Sequence, residues 1–322
     1  MITEAHRAKV FVDQAQHDQF EREGFVVLDF FKPEEIAQMQ SIFEDLRPEG
    51  LAGFYTTTFE SSPEFRTKVD LALRSVFDRP VRQYFEAFKY FFSSFIVKSP
   101  GPKSKLILHQ DMSLVEEAKF AGMNIWAPLI NLTMENGPIY VLPKSHRLIP
   151  TYRGASLPDI YDGIEEEVIS VMTPLLLRAG QAVVFDQSMM HYSPANMSDK
   201  ERIVVNTFIS NENAKIRISY QDRATPDKVE IFEQDDTFLR HYANFGTDIF
   251  IRPTIGESLG FFDYDFKKLS LAELEAKYGK TKPSKEAEEV AEAPSTPETT
   301  TTAPEEAVGF FQRVKNLFSK KA

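Results

Sequence analysis

The chain has 322 residues, of which 42% are hydrophobic and 12% aromatic, with 28 phenylalanines, enough apolar material for a large core that needs no covalent staples. A net charge of −11 speaks against a general nucleic-acid binder, because backbone phosphates are held by Lys and Arg. Cysteine is absent, which excludes disulfides, thiolate-bound zinc, iron–sulfur clusters and thiol catalysis, so any metal must be held by His and carboxylates.

The opening residues carry no apolar signal core and no run approaches 18 apolar residues, so a cytoplasmic protein without a membrane span is expected. Residues 13–23 read as a polar helix and 24–28 as a short buried strand. Pro33-Glu34-Glu35 opens a second helix, with Pro in its first turn and carboxylates near its positive end, and Ile36, Met39, Phe43 and Leu46 recur at helical spacing. Residues 63–89 give a third helix through Phe65, Val69, Leu73, Val76, Phe77, Val81 and Phe85. From Tyr90 to about Ser219 the pattern changes to short strands punctuated by Gly, Pro and Asn, at 91–97, 106–111, 125–132, 139–142, 168–177, 182–185 and 202–210. Seven such strands predict a sandwich or barrel rather than a parallel α/β sheet.

Residues 1–279 are therefore expected to form one domain: a helical buttress at about 1–89, a β core at about 90–219 and a C-terminal extension at about 220–279. Residues 280–307 consist mostly of Lys, Glu, Pro, Ser, Thr and Ala, the composition of a disordered linker. In 308–322, Phe311, Val314 and Phe318 can share a helical face opposite Arg313, Lys315, Lys320 and Lys321. Such a helix could dock on a partner protein or an anionic membrane, and a disordered tail is the other reading.

Of six histidines, only His109 is followed two residues later by Asp. In a strand, residues i and i+2 share a face, so His109 and Asp111 can present an imidazole and a carboxylate to one point. His191 follows the strand pattern Ala182-Val183-Val184-Phe185, and two His with one carboxylate make the facial triad that suits non-haem Fe(II). Arg202 opens a strand eleven residues later. If it points inward, so do Val204, Asn206 and Phe208, and a buried guanidinium needs an anion. Asn206 would then be a buried amide whose partner is a ligand, a water or a neighbouring backbone group. Taken singly, each residue has a plainer reading: a surface His beside an Asp, a satisfied core histidine, a surface salt bridge. Gly279-Lys280-Thr281 lacks the earlier glycine of a phosphate loop, since Leu274 stands there, and Glu165-Glu166-Glu167 reads as a solvated loop.

His109-Gln110-Asp111, the run from Asn136-Gly137-Pro138 to Pro143-Lys144-Ser145-His146, His191 and Arg202 together resemble the phytanoyl-CoA dioxygenase family of Fe(II)/2-oxoglutarate oxygenases. Phe20-Glu21-Arg22-Glu23-Gly24-Phe25-Val26-Val27 and Pro33-Glu34-Glu35-Ile36 are similar to that family's opening, so the resemblance spans about residues 15–210. It implies a double-stranded β-helix, the jelly-roll barrel, with Fe(II) on His109, Asp111 and His191. It also implies that Arg202 and Ser193 hold the distal carboxylate of 2-oxoglutarate and that Trp126 lines the cosubstrate pocket. Gln110 is expected on the opposite face of its strand. Lys144 stands where the family usually has Gly, which leaves the conformation of that loop open. The activity implied is hydroxylation of a C–H bond in a small-molecule substrate, with O₂ and 2-oxoglutarate consumed and succinate and CO₂ formed. Desaturation, cyclisation, halogenation and a non-catalytic binding or scaffolding role are the alternatives.

Overall fold

The computed structural model describes residues 7–149, 151–242 and 251–281. The linker from 282 onward and the helix expected at 308–322 lie outside the described residues. Three helices come first in the order the sequence predicts: α1 (Gln14–Glu23), α2 (Pro33–Leu46) and α3 (Pro63–Tyr84), with strand β1 (Phe25–Asp29) between the first two and β2 (Phe54–Thr56) before the third. Each boundary has a local cause. The Asp13 carboxylate accepts from Gln16 N at 2.8 Å to start α1, and Gly24, at φ 85°, stops it. Ser62 caps α3 ahead of Pro63, and α3 ends at Tyr84 rather than at Lys89, because Phe85 is extended and Phe88 already belongs to the next strand.

Eight further strands build the barrel: β3 (Phe88–Lys98), β4 (Leu106–His109), β5 (Met123–Pro128), β6 (Ile139–Val141), β7 (Thr173–Leu175), β8 (Gln181–Asp186), β9 (His191–Ser193) and β10 (Arg202–Asn211). The larger sheet has the order β1-β8-β5-β10-β3-β2 and the smaller β4-β9-β6-β7, with antiparallel pairing throughout. Trp126, Val183, Phe185 and Val204 of the larger sheet pack with Ile139 and Val141 of the smaller one, so the two sheets close on a common interior. This is the double-stranded β-helix architecture. Strand β10 alternates as its pattern predicts. Val205 and Ile209 join Val69, Leu73, Val76 and Phe77 of α3 on the outer face, while Arg202, Asn206 and Phe208 border the internal cavity.

Two expectations are corrected. The strand expected at 168–177 is instead a short helix, α4 (Glu165–Ser170), followed by the three-residue β7. Glu165, Glu166 and Glu167 form the first turn of α4, where carboxylates suit the helix dipole, and are not a loop; Val168 is fully buried beneath them. The C-terminal extension is more ordered than its composition suggests. Strands β11 (Ile216–Tyr220), β12 (Lys228–Gln234) and β13 (Glu257–Asp263) form a separate antiparallel sheet; α5 (Phe238–His241) lies between β12 and β13 in the chain, and α6 (Leu271–Tyr278) follows β13. Among the described residues no helix is long and apolar enough to cross a membrane.

The N-terminal segment is tied to the barrel by charge. Asp186, at the end of β8, is 1% exposed and accepts from Arg7 Nη1 at 2.5 Å and from Ser188 N at 2.8 Å, while Arg7 also donates to Glu21 at 2.8 Å. Burial by itself would raise the Asp186 pKa, but Arg7, His146 and the Ser188 hydroxyl outweigh it and hold the carboxyl down to about 2. Lys144 adopts the left-handed conformation at φ 67°, the backbone a glycine would otherwise supply, and its N–H donates to Glu23 O at 2.8 Å. A group whose folded pKa is depressed stabilises the fold above its unfolded pKa and loses that contribution as pH falls through the folded value. Asp186→Asn is therefore expected to cost about 2–3 kcal/mol at pH 7 and to flatten the pH dependence of stability between about 4 and 2, as measured by urea denaturation.

Candidate functional site

β4 and β9 pair antiparallel with His109 opposite His191, so the two imidazoles are cross-strand neighbours, 4.0 Å apart at their ring centres. Each ring is oriented in the same way. His109 Nδ1 lies 2.9 Å from the carbonyl of Ile107, and His191 Nδ1 lies 2.9 Å from the carbonyl of Met189. A carbonyl can only accept, so Nδ1 carries a proton in both rings, which leaves Nε2 as the nitrogen through which each ring would ligate a metal. Asp111 lies just past the end of β4, where its N–H donates to Gln187 O at 2.9 Å. Its carboxylate Oδ1 is 3.8 Å from His109 Nε2 and 4.0 Å from His191 Nε2. One ligand atom from each of the three lies within 4.8 Å of the others.

The second carboxylate oxygen is already engaged. Asn124, on β5, donates to Asp111 Oδ2 at 2.6 Å, and Asn206, on β10, donates to Asn124 Oδ1 at 3.0 Å. Oδ2 is thus held away from the histidines and Oδ1 faces them. Behind Asp111, Arg153 Nε donates to its backbone carbonyl at 2.8 Å and is itself clamped by Glu117, 2.9 Å from Nη1. The electrostatics leave room for a cation. Burial drives the His191 pKa well down, with His109 adding to the effect, so the ring is neutral. Burial raises the Asp111 pKa against the opposing pull of His109 and Arg153. Its side chain is 28% exposed, and it borders the cavity. Two imidazoles and one carboxylate, in a place that penalises net charge, fit a divalent metal with remaining open positions, and this donor set is the one that suits Fe(II).

The triad stands on the wall of a cavity of about 960 Å³, whose lining is largely apolar and includes Phe54, Phe92, Leu114, Phe208 and Leu239. All seven residues singled out in the sequence, namely His109, Asp111, Trp126, His191, Ser193, Arg202 and Asn206, line this one cavity. Arg202 is 1% exposed, and burial alone pulls its pKa down to about 9, so it is charged at neutral pH. Its Nη1 and the Ser193 hydroxyl both donate to Gly137 O, each at 3.0 Å. Its Nε is buried without a partner among the described residues, and its guanidinium carbon lies 5.3 Å from the centre of the Trp126 ring. Gly137 belongs there: φ is 73°, and an added Cβ would stand 2.6 Å from Pro194 O.

Gln110 departs from expectation. The strand has ended at His109, and the Gln110 side chain borders the cavity and donates to Ser188 O at 2.5 Å. Sequence reasoning missed Asn124. The available signal was alternation along Met123-Asn124-Ile125-Trp126, which places Asn124 on the same face as Trp126, a lone amide in an otherwise apolar strand.

Comparison with known proteins finds the family model described as phytanoyl-CoA dioxygenase (PhyH) matching residues 20–204. Among curated proteins, phytanoyl-CoA dioxygenase domain-containing protein 1 of Danio rerio is 28% identical over 120 residues, 35% of this chain and 41% of that protein. Phytanoyl-CoA dioxygenase of Arabidopsis thaliana is 26% identical over 117 residues, covering 34% of this chain and 40% of its own length. The chain thus spans less than half the length of these two relatives. Among solved structures, the non-heme alpha ketoglutarate dependent carbocyclase SnoK from nogalamycin biosynthesis aligns with a TM-score of 0.47 at 17% identity, covering 64% of this chain and 86% of that one. EvdO2 from Micromonospora carbonacea var. aurantiaca, complexed with 2-oxoglutarate, aligns with a TM-score of 0.43 at 19% identity, covering 62% and 91%. The family match covers more than half of the chain and contains His109, Asp111 and His191, and with it the protein belongs to the phytanoyl-CoA dioxygenase family.

Proposed function

We propose that this protein is an Fe(II)- and 2-oxoglutarate-dependent dioxygenase that hydroxylates a C–H bond of a small-molecule substrate. The observation that carries this reading is the pairing, in one cavity, of three converging ligand atoms with a buried arginine that has no carboxylate partner among the described residues. When bound, iron with 2-oxoglutarate and O₂ supplies the oxidising power, the cosubstrate leaving as succinate and CO₂. The chain positions the reactants. His109, His191 and Asp111 Oδ1 would hold the metal, and a triad of this kind would leave positions for a 2-oxo acid and for O₂. Arg202, with its planar fork, and Ser193 would receive the distal carboxylate, exchanging their bonds to Gly137 O for bonds to the anion, while Trp126 packs beside the guanidinium. The apolar lining of the cavity would exclude water from the reacting carbon. Asp111 also favours hydroxylation over halogenation, because its carboxylate fills with oxygen a position that a halide would otherwise need.

Anaerobic titration with Fe(II) and 2-oxoglutarate is expected to produce the weak visible charge-transfer band of a chelated 2-oxo acid. His109→Ala and His191→Ala should each abolish it, and retention of both band and turnover in these variants would refute the triad. Arg202→Met is expected to weaken 2-oxoglutarate by on the order of 3 kcal/mol, roughly a hundredfold in apparent KM. An unchanged KM would place the distal carboxylate elsewhere. With a turned-over substrate in chloride buffer under ¹⁸O₂, mass spectrometry should find one labelled oxygen in the product; a halogenated product, or one that has only lost two hydrogens, would overturn hydroxylation.

A further inference from the structure

The barrel interior holds a second buried cation that the reading above does not use. In the antiparallel pairing of β10 with β3, Arg202 stands directly opposite Lys98, so the two side chains project from the same face of the sheet. That face continues through Phe92, Ser94 and Ile96, which line the cavity. Lys98 is 0% exposed and Arg202 1%. Lys98 Nζ donates to the carbonyl of Ser193 at 2.8 Å and also to that of Pro194, so its hydrogen bonds go to neutral acceptors at the end of β9. Burial, with Arg202 and Lys105 adding their repulsion, holds the Lys98 pKa well below its ordinary value, so an anion beside it would favour its ammonium form, and among the described residues no carboxylate offsets Lys98 or Arg202.

Like charges placed directly opposite each other across a strand pair are destabilising, and burial without a counter-ion adds to the cost. Carbonyl oxygens take hydrogen bonds from Lys98 Nζ and from Arg202 Nη1 but do not balance the charge of either group. An arrangement of this kind is balanced only when an anion enters. Ser193 links the two cations, since its carbonyl receives Lys98 while its hydroxyl shares Gly137 O with Arg202.

We propose that Lys98 is a positioning residue that makes the pocket selective for a dicarboxylate cosubstrate: from behind Arg202 it adds a second positive charge to the place where the distal carboxylate lands. This rests on the reading that the site takes a 2-oxo acid on iron. It goes further by assigning selectivity for the distal charge to a pair of cations. A 2-oxo acid of the same chain length that lacks that carboxylate, 2-oxopentanoate, would set a methyl group against both cations.

The test uses the full chain loaded anaerobically with Fe(II), titrated separately with 2-oxoglutarate and 2-oxopentanoate and followed by the charge-transfer band. Lys98→Gln keeps N–H groups for the two carbonyls and removes the charge. It is expected to weaken 2-oxoglutarate about tenfold or more while moving 2-oxopentanoate by less than about twofold, and Lys98→Arg should restore the preference. A merely structural role would weaken both ligands alike, so an unchanged ratio between them overturns the proposal. Should Lys98→Gln not fold, Lys98→Met is read by the same ratio. If the wild-type protein gives no band with either acid, the iron and 2-oxo acid reading itself falls, an outcome distinct from a normal wild-type band with an unaltered ratio in the variant.

Discussion

The site depends on two hydrogen bonds from histidine rings to their own strands. His109 and His191 each give Nδ1–H to the carbonyl two residues earlier, which fixes tautomer and ring plane together. With both rings so held, the position of the Nε2 atoms follows from strand register alone. His109 lies opposite His191 because β4 and β9 pair in that register, and the turn before β9 is held by Asp186 and Ser188. The ion cluster of Arg7, Glu21 and Asp186 therefore bears on the placement of the candidate ligands without touching them: it fixes the turn from which His191 emerges.

β10 shows how one strand serves packing and chemistry at once. Its outer residues, Val205 and Ile209, complete the core beneath α3, and its inner residues, Arg202 and Asn206, reach the cavity. A slip of one residue would send the guanidinium into the helix layer and turn Ile203 and Val205 into the cavity. Burial of the apolar half thus aligns the polar half, and pairing with β5 on one side and β3 on the other holds the alignment.

The triad and Arg202 were legible in the sequence because their spacings are local expressions of strand geometry, and the family pattern ordered them. The helical buttress was legible for the same reason, through its 3.6-residue apolar period and its Pro and Ser caps. What escaped is non-local. Lys98 closes an apolar strand and reads as a surface terminus until β10 is laid beside β3. Asn124 acquires meaning only when Asp111, from another sheet, arrives beside it. α4 was missed because a short apolar run behind three Glu fits a strand or a helix turn equally well, and its end-charge preference decided the matter. The sheet of β11, β12 and β13 was obscured by mixed Phe, Tyr and Asp content and by an exposed outer strand with no clean alternation.

The chain of Asn206, Asn124 and Asp111 has a direction. An ionised carboxylate can only accept, so it settles which end of the Asn124 amide faces it, and the oxygen left over settles the orientation of Asn206 in turn. Neither amide can be flipped without setting oxygen against oxygen. The final oxygen, Asn206 Oδ1, is buried without a partner among the described residues. The polarity set by one charge is thus handed across two strands, and the wall of the cavity at Asn206 takes its sign from a carboxylate that it does not touch.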